Sequence, residues 1–549
     1  ACARLPEAMC CGVVAVRDVV ACGVAAGRRS SRHGRRSSAD LQVRRFAGFM
    51  VPKRERDKLR APAGTSAPVP RAATAPRAAQ LSPSDLAAAV RSASQGPRAG
   101  DLRMWREYAE QTLFHAGVLT PKQMAFITNS FARAAVPDRD VFRRLADRAL
   151  EKIGDFEPRD TALLLNAYAK LAFRDLVLFH EFAKSIRSDT SAGYGEQQLS
   201  LIVNAFARLE IRDVALFQTL SGWIVAKTHE LTAQGVATVA NSYAKVSIQD
   251  AAVVQAVIAS VGRHLQSFGP HHLSNILNAY AKLQVSEQEV VERLVSQVPG
   301  CVHDFGPVDL AATVHAMSKL SVHHRQAWIA LAAAVRDRGD EFRARQIAVT
   351  VHSFSMLTVA YNGLLGDMSP HVLDNVDMAD DQSLVLLFCA YARAGQPQGL
   401  VVRCLLDRLD SRTQSLEAQA LVNLFYACGR LGLQKEAFAR HLAHELLAEV
   451  PALSPQHVSN CLYAVARLGA VTEEFRALLE ALQRRALRGD LDFEPQHLAN
   501  MLHALAAVHT GSDGGSLQSP VPLPGTLVPS LASRALRCRS WTEEPQLLA

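Results

Sequence analysis

Nine lysines and arginines recur at one register of the sequence: Arg133, Lys170, Arg208, Lys245, Lys282, Lys319, Arg393, Arg430 and Arg467. Neighbours in this column stand 37 or 38 residues apart, except where Met356 replaces the cation. Four residues before each lies a second column, Asn129, Asn166, Asn204, Asn241 and Asn278, continued by His315 and His352. A spacing of four puts the two columns on one face of a helix. Lys and Arg suit phosphates, which position a strand without reading it. Asn and His suit base edges, and repeats that read one base with two or three side chains are an established way to hold single-stranded RNA. The expectation is phosphate contact for the cations and base-edge contact for Asn129, Asn166, Asn204, Asn241, Asn278, His315 and His352. The plain alternatives are an Asn that bridges to the next repeat and a Lys that favours a helix C-terminus.

Both columns belong to a repeat. The phrase Asn-Ala-Tyr-Ala-Lys-Leu at Asn166 returns, with variations, eleven times between Asn129 and His503, at intervals of 37 to 40 residues. Each unit reads as two helices. Pro often opens the first, as at Pro158, Pro270, Pro307, Pro455 and Pro495, where the missing N–H costs no hydrogen bond. Counting that residue as position 1, positions 4, 5, 8, 11 and 12 are apolar or small, a helical period. The small residue at position 12 lets a neighbouring helix approach closely. Asp138, Asp175, Asp213, Asp250 and Glu287 follow the Asn column by nine residues. They read as caps of the second helix rather than as metal ligands, with Ser286 and Glu289 as a capping box. Helix pairs of this size bury their apolar faces only by stacking. The fold class is therefore all-α, an α-solenoid (αα-superhelix) of about 11 helical-hairpin repeats of 37 residues. A weaker copy begins near Ser82–Pro83, so the array is expected over residues 81–509.

The flanks differ from the array. The 549 residues carry a net charge of +8, but the first 100 hold 18 Lys/Arg against 6 Asp/Glu, which leaves the rest at −4. A global cationic field is therefore absent from the body, and nucleic-acid binding must rest on placement. Residues 1–80 read as a basic leader and disordered linker: Arg28, Arg29, Arg32, Arg35, Arg36, Arg44 and Arg45 lie among Ser and Ala with only Asp40 opposing, the composition of an organelle-import segment. A mitochondrion is expected, with a plastid as alternative. Residues 510–549 are rich in Gly, Ser and Pro and are expected to be disordered. Four of ten Cys fall in the first 22 residues and none has C-x-x-C spacing, which gives no zinc framework. The array offers no run of apolar residues long enough to span a membrane.

Further polar groups share the face of the two columns. Position 2 carries Lys122, Arg159, Gln197, Gln234, His271, Arg345, Gln382, Gln419, Gln456 and Gln496, and position 6 ranges from Phe126, Leu163 and Thr238 to Asn275, Asn423, Asn460 and Asn500. Tyr168, Phe206, Tyr243 and Tyr280 share the core position and read as packing. His441, His444 and Glu445 read as a solvated helix face, because their order fits no metalloprotease motif.

The Asn-Ala-[Tyr/Phe]-Ala-[Lys/Arg]-Leu phrase and its period resemble the repeats of organellar RNA-binding proteins, the heptatricopeptide and octotricopeptide families often seen with a RAP domain, and their relatives among RNA-editing substrate-binding complex subunits. The resemblance spans about residues 82–509. It implies an αα-superhelix that binds single-stranded RNA in transcript stability, processing, translation or rRNA assembly. Two features depart from it: from Cys389 onward the anchor becomes Cys, Tyr or His, and no RAP domain follows the array. No P-loop, G-x-S-x-G or H-E-x-x-H motif occurs, so the expectation is no enzyme, no metal, no cofactor and no small-molecule substrate. The expected partners are single-stranded RNA and other organellar RNA-processing or ribosomal proteins, with no membrane. The alternative is a protein-binding α-solenoid scaffold in such an assembly.

Overall fold

The computed structural model describes residues 81–97, 99–189, 193–285, 287–357, 362–395, 399–433, 437–469, 472–488, 490–510 and 527–537. The basic leader therefore lies outside the described residues, as does Ser286. Among the described residues the chain is helical and contains no strand. It is the all-α helical repeat that the 37-residue period predicts. The chain divides into two compact units, with Ala327 the last residue of the first and Trp328 the first of the second.

In the first unit, the first helices Pro121–Arg133, Pro158–Lys170, Glu196–Arg208, Ala233–Lys245, Pro270–Leu283 and Pro307–Lys319 pack each against the next. The second helices Arg139–Glu151, Leu176–Ser188, Val214–Ala226, Ala251–His264 and Gln288–Val295 pack on one another as another layer. Local chemistry sets the boundaries. Pro121, Pro158, Pro270 and Pro307 open first helices. Asp138, Asp175, Asp213 and Asp250 each accept a backbone N–H of the second helix at 2.9–3.1 Å, and such a cap contributes about 1 kcal/mol. Glu287 departs from this pattern: it occupies the cap position without making the cap bond, and instead accepts from Gln255 Nε2 at 3.0 Å.

The turn between the two helices needs a left-handed residue. Ala135, Ala172, Glu210, Ser247, Gln284 and Ser321 all have φ between 52° and 59°, a conformation that costs a side chain roughly 1 kcal/mol. Burial of the residue at position 11 offsets this. Tyr168 lies 4.8 Å from Phe142 of the preceding second helix and donates to the Phe142 carbonyl at 2.5 Å. Tyr243 repeats the arrangement on Phe217, at 5.0 Å and 3.1 Å. Both rings are 1% exposed, so they bind the repeats together.

In the second unit, first helices Ala344–Ser355, Asp381–Arg393, Ala418–Leu431, Pro455–Leu468 and Pro495–Thr510 pack in series. Second helices Asn362–Asn375, Leu400–Asp410, Ala437–Glu449 and Glu473–Leu487 form the other layer. The same turn position is filled here by Gly395, Gly432 and Gly469, with φ of 68–75°; Gly432 is left-handed with ψ of 33°, and Gly469 has ψ of 141°. Within the stretch expected to be disordered, Leu527–Arg537 is a helix. Leu527 and Leu531 are buried, and the Arg534 guanidinium sits 5.9 Å over the Phe493 ring and donates to the Ala486 carbonyl at 3.4 Å. A spacing of four between the two leucines gives this helix an apolar stripe to bury. No described helix is long and apolar enough to cross a membrane.

Candidate nucleic-acid interface

The first helices place positions 2, 6, 9 and 13 along one face, as their spacing requires. Hydrogen bonds between position 2 and position 6 demonstrate it: Gln419 Nε2 donates to Asn423 Oδ1 at 3.2 Å, and Gln496 Nε2 to Asn500 Oδ1 at 3.0 Å.

In the first unit, the position-13 cations occupy the last turn of each first helix. Arg133, Lys170 and Lys319 reach solvent, and Arg208, Lys245 and Lys282 are half-buried. Each of two reaches back one repeat: Arg208 Nη2 donates to the Lys170 carbonyl at 3.4 Å, and Lys245 Nζ to the Arg208 carbonyl at 3.5 Å. A helix C-terminus leaves carbonyls without intrahelical partners, so a cation there serves the fold and the field at once. The cations also sense one another. The protein strips water from Lys170 and lowers its pKa, and Arg208 and Arg133 lower it further. Lys282 is lowered by burial and by Lys319, and Lys319 by desolvation. Opposite charges would raise these values. The row is therefore a set of neighbouring positive charges that a polyanion would relieve.

The Asn column is uneven. Asn166 and Asn278 are buried, at 4% and 7% exposure, while Asn129, Asn204, Asn241, His315 and His352 are half-buried. Burial, then Lys319 and Lys282, push the His315 pKa down to about 4. A neutral imidazole offers one donor and one acceptor. At position 2 of the preceding first helix, His271 Nδ1 lies 3.0 Å from Asp309 Oδ1, which raises the His271 pKa.

The second unit presents different groups on the same face. Arg393 Nη1 donates to Ser355 Oγ at 3.2 Å, again one repeat back. Arg430 is half-buried and Arg467 exposed. Asn423 and Asn460 occupy position 6, and Tyr426 and Tyr463 occupy position 9. The two rings, both half-exposed, lie 5.2 Å apart and tilted by 35°. The change of the anchor to Tyr departs from the Asn pattern, yet both Tyr keep an Asn three residues before and an Arg four residues after. His441 Nδ1 faces Asp410 Oδ1 at 2.8 Å on an exposed second-helix surface.

Residues 106–382, just over half of the chain, match the family described as RNA-editing substrate-binding complex 6 protein. No curated protein matches the sequence. Among solved structures, a homology model of the full-length AP-3 complex in an intermediate open conformation matches at 11% identity with a TM-score of 0.31, over 83% of this chain and 89% of that one.

Proposed function

Given that the chain belongs to the RNA-editing substrate-binding complex 6 protein family, a helical family of RNA processing, we propose that it is a non-catalytic single-stranded RNA-binding protein of mitochondrial RNA metabolism. The observation that carries this reading is the row of cations in the last turns of successive packed first helices, in which burial first, and then Arg208 and Arg133 for Lys170 and Lys319 for Lys282, lower the lysine pKa values. Bringing like charges together is unfavourable without a counter-ion, and a phosphate backbone that displaces condensed ions supplies it. Tyr168 and Tyr243 remain core groups in this reading, and Asn166 and Asn278 contribute from inside the layer rather than as exposed readers.

The test is titration of the full chain with a fluorescent single-stranded RNA over a range of salt. Binding should weaken steeply with salt. Changing Lys170, Arg208, Lys245 and Lys282 together to Glu should flatten the slope by about 3, at roughly 0.7 per lost phosphate contact. Unchanged affinity and slope would overturn the reading. A second reading, a protein scaffold, is favoured by one observation: Leu176, Val177 and Val214 are 55%, 63% and 43% exposed at the starts of second helices, where they line an open groove with His180 and Arg212. It predicts shallow salt dependence for partner capture and no RNA affinity.

A further inference from the structure

We infer that Tyr426 and Tyr463 form a stacking platform for unpaired bases, and that their two helices make a two-nucleotide contact unit in the second half of the chain. The inference rests on the RNA-binding reading and deepens it, because it supplies a base contact where the cationic row supplies only phosphate contacts.

The argument starts from a duplicated triad. Asn423, Tyr426 and Arg430 lie on helix Ala418–Leu431, and Asn460, Tyr463 and Arg467 lie at the same positions of helix Pro455–Leu468. Steps of three and four residues align amide, ring and guanidinium along one face. The helices pack against each other, and they do so closely at Gly429. A Cβ there would stand 2.8 Å from Ala464 Cα and 3.2 Å from Ala464 Cβ, a distance only glycine permits. That approach lies one turn from Tyr426 and lets the rings meet at 5.2 Å.

Exposure separates these rings from the other repeat tyrosines. Tyr168, Tyr243, Tyr280 and Tyr391 are 1% exposed at the core position, whereas Tyr426 and Tyr463 stand half-exposed on the polar face. A half-exposed aromatic pair flanked by amides and guanidiniums has the composition of a nucleotide contact. Base stacking on an aromatic ring is sequence-tolerant, because every base has a π-face. The amides are oriented as well. Gln419 Oε1 pairs with His457 Nε2 at 2.6 Å across the two helices, and Gln419 Nε2 donates to Asn423 Oδ1. With its Oδ1 taken by Gln419, the group that Asn423 can offer a base is its NH₂ donor. Arg430 and Arg467 then stand one turn beyond each ring, suited to the adjoining phosphates.

The experiment uses the full chain and single-stranded RNA carrying 2-aminopurine, whose fluorescence falls when it stacks. Wild type should quench it on binding. The variant Tyr426→Leu with Tyr463→Leu should lose the quenching and bind roughly 10-fold or more weaker, with its salt slope unchanged. The variant Tyr426→Phe with Tyr463→Phe should keep both quenching and affinity, since the ring rather than the hydroxyl stacks. A melt of each variant confirms folding, and the wild-type quenching needs no variant at all. RNA that binds with no quenching, and with equal affinity to wild type and the Leu variant, overturns the platform and leaves the RNA-binding reading standing. Failure of wild type to bind any single-stranded RNA overturns both.

Discussion

The two units use one hairpin design with opposite choices at two positions. At the turn between the two helices, the first unit has Ala135, Ala172, Glu210, Ser247, Gln284 and Ser321, and the second has Gly395, Gly432 and Gly469. On the outward face, three repeats of the first unit pair apolar groups at position 6 (Phe126, Leu163, Leu201) with Asn at position 9, and two repeats of the second pair Asn423 and Asn460 at position 6 with Tyr at position 9. Amide and apolar surface have exchanged places by one helical turn, while the cation at position 13 has stayed. The scaffold therefore fixes where a phosphate contact sits and leaves open what stands beside it. The geometry of the turn is likewise fixed by the fold, and the residue that fills it is not.

The largest expected effect is on binding. Lys170, Arg208, Lys245 and Lys282 changed to Glu should cost the full chain more than about 100-fold in single-stranded RNA affinity at low salt, as expected for several lost phosphate contacts. Arg393, Arg430 and Arg467 changed to Glu should cost less, because three cations are reversed rather than four and Met356 interrupts the row before them. Equal losses in an anisotropy titration would erase the distinction between the units.

The next effect is on stability against pH. The folded pKa of His315 lies at about 4, below the ordinary value near 6.5. Its contribution is fully present above the unfolded value and is lost as pH falls from 6.5 toward 4, where the unfolded chain takes up a proton that the folded chain does not. The loss should reach about 2 kcal/mol by pH 5. Urea unfolding at pH 7 and pH 5 should show it for wild type and not for His315→Asn. At the matching position of three second-unit repeats, Cys389, Tyr426 and Tyr463 stand in place of an imidazole.

The turn gives a smaller effect of opposite sign in the two units. Gly432→Ala should destabilise by roughly 1–2 kcal/mol, from the left-handed penalty alone, since a Cβ there meets nothing within 4 Å. Gln284→Gly should be neutral or stabilising by less than about 1 kcal/mol, because relief of strain is partly cancelled by the entropy of glycine. Thermal melts of the two variants should move in opposite directions or, for Gln284→Gly, not at all. A loss for Gln284→Gly as large as that for Gly432→Ala would mean that the side chain, not the backbone, holds the turn. Asp213→Ala sets the scale between them, with an expected loss of about 1 kcal/mol for one cap, read from the same melts.

The fold was legible because its signals are periodic and local. Pro at the first turn, Asp at the second-helix cap and the spacing of the core aromatic each repeat often enough to average out exceptions such as Glu287. The break between Ala327 and Trp328 was not legible, because His315 and His352 keep the 37-residue interval in the sequence. Nor were the strained turns, since Ala, Ser, Glu and Gln carry no glycine signal. At the site, the register of the cations was legible from spacing. The burial of Asn166 and Asn278 was not, because it depends on which side chains the adjoining repeat supplies. The pairing of Tyr426 and Tyr463 was not legible either, because in sequence they are only a departure from the Asn pattern, and their 5.2 Å approach depends on how two helices pack.

The reach-back bonds give the protein a grain. Arg208 serves the carbonyl of Lys170 and Lys245 that of Arg208. The second-helix layer does the same, with Lys152 donating to the Leu119 carbonyl at 3.2 Å, Arg412 to Ala379 at 3.3 Å and Arg485 to Leu453 at 3.5 Å. In these five bonds the donor comes from later in the chain than its acceptor; Ser459 Oγ and Cys389 Sγ reach the other way, to the His497 and Asn423 carbonyls at 3.3 and 3.7 Å. Within a unit, trimming repeats from the C-terminal side strips these cationic donors from the carbonyls of the repeat left behind, while trimming from the N-terminal side uncovers tyrosines such as Tyr168 and Tyr243 that bury themselves on the preceding repeat. Each repeat is thus completed by its neighbours on both sides, and the two ends of the array erode by different losses.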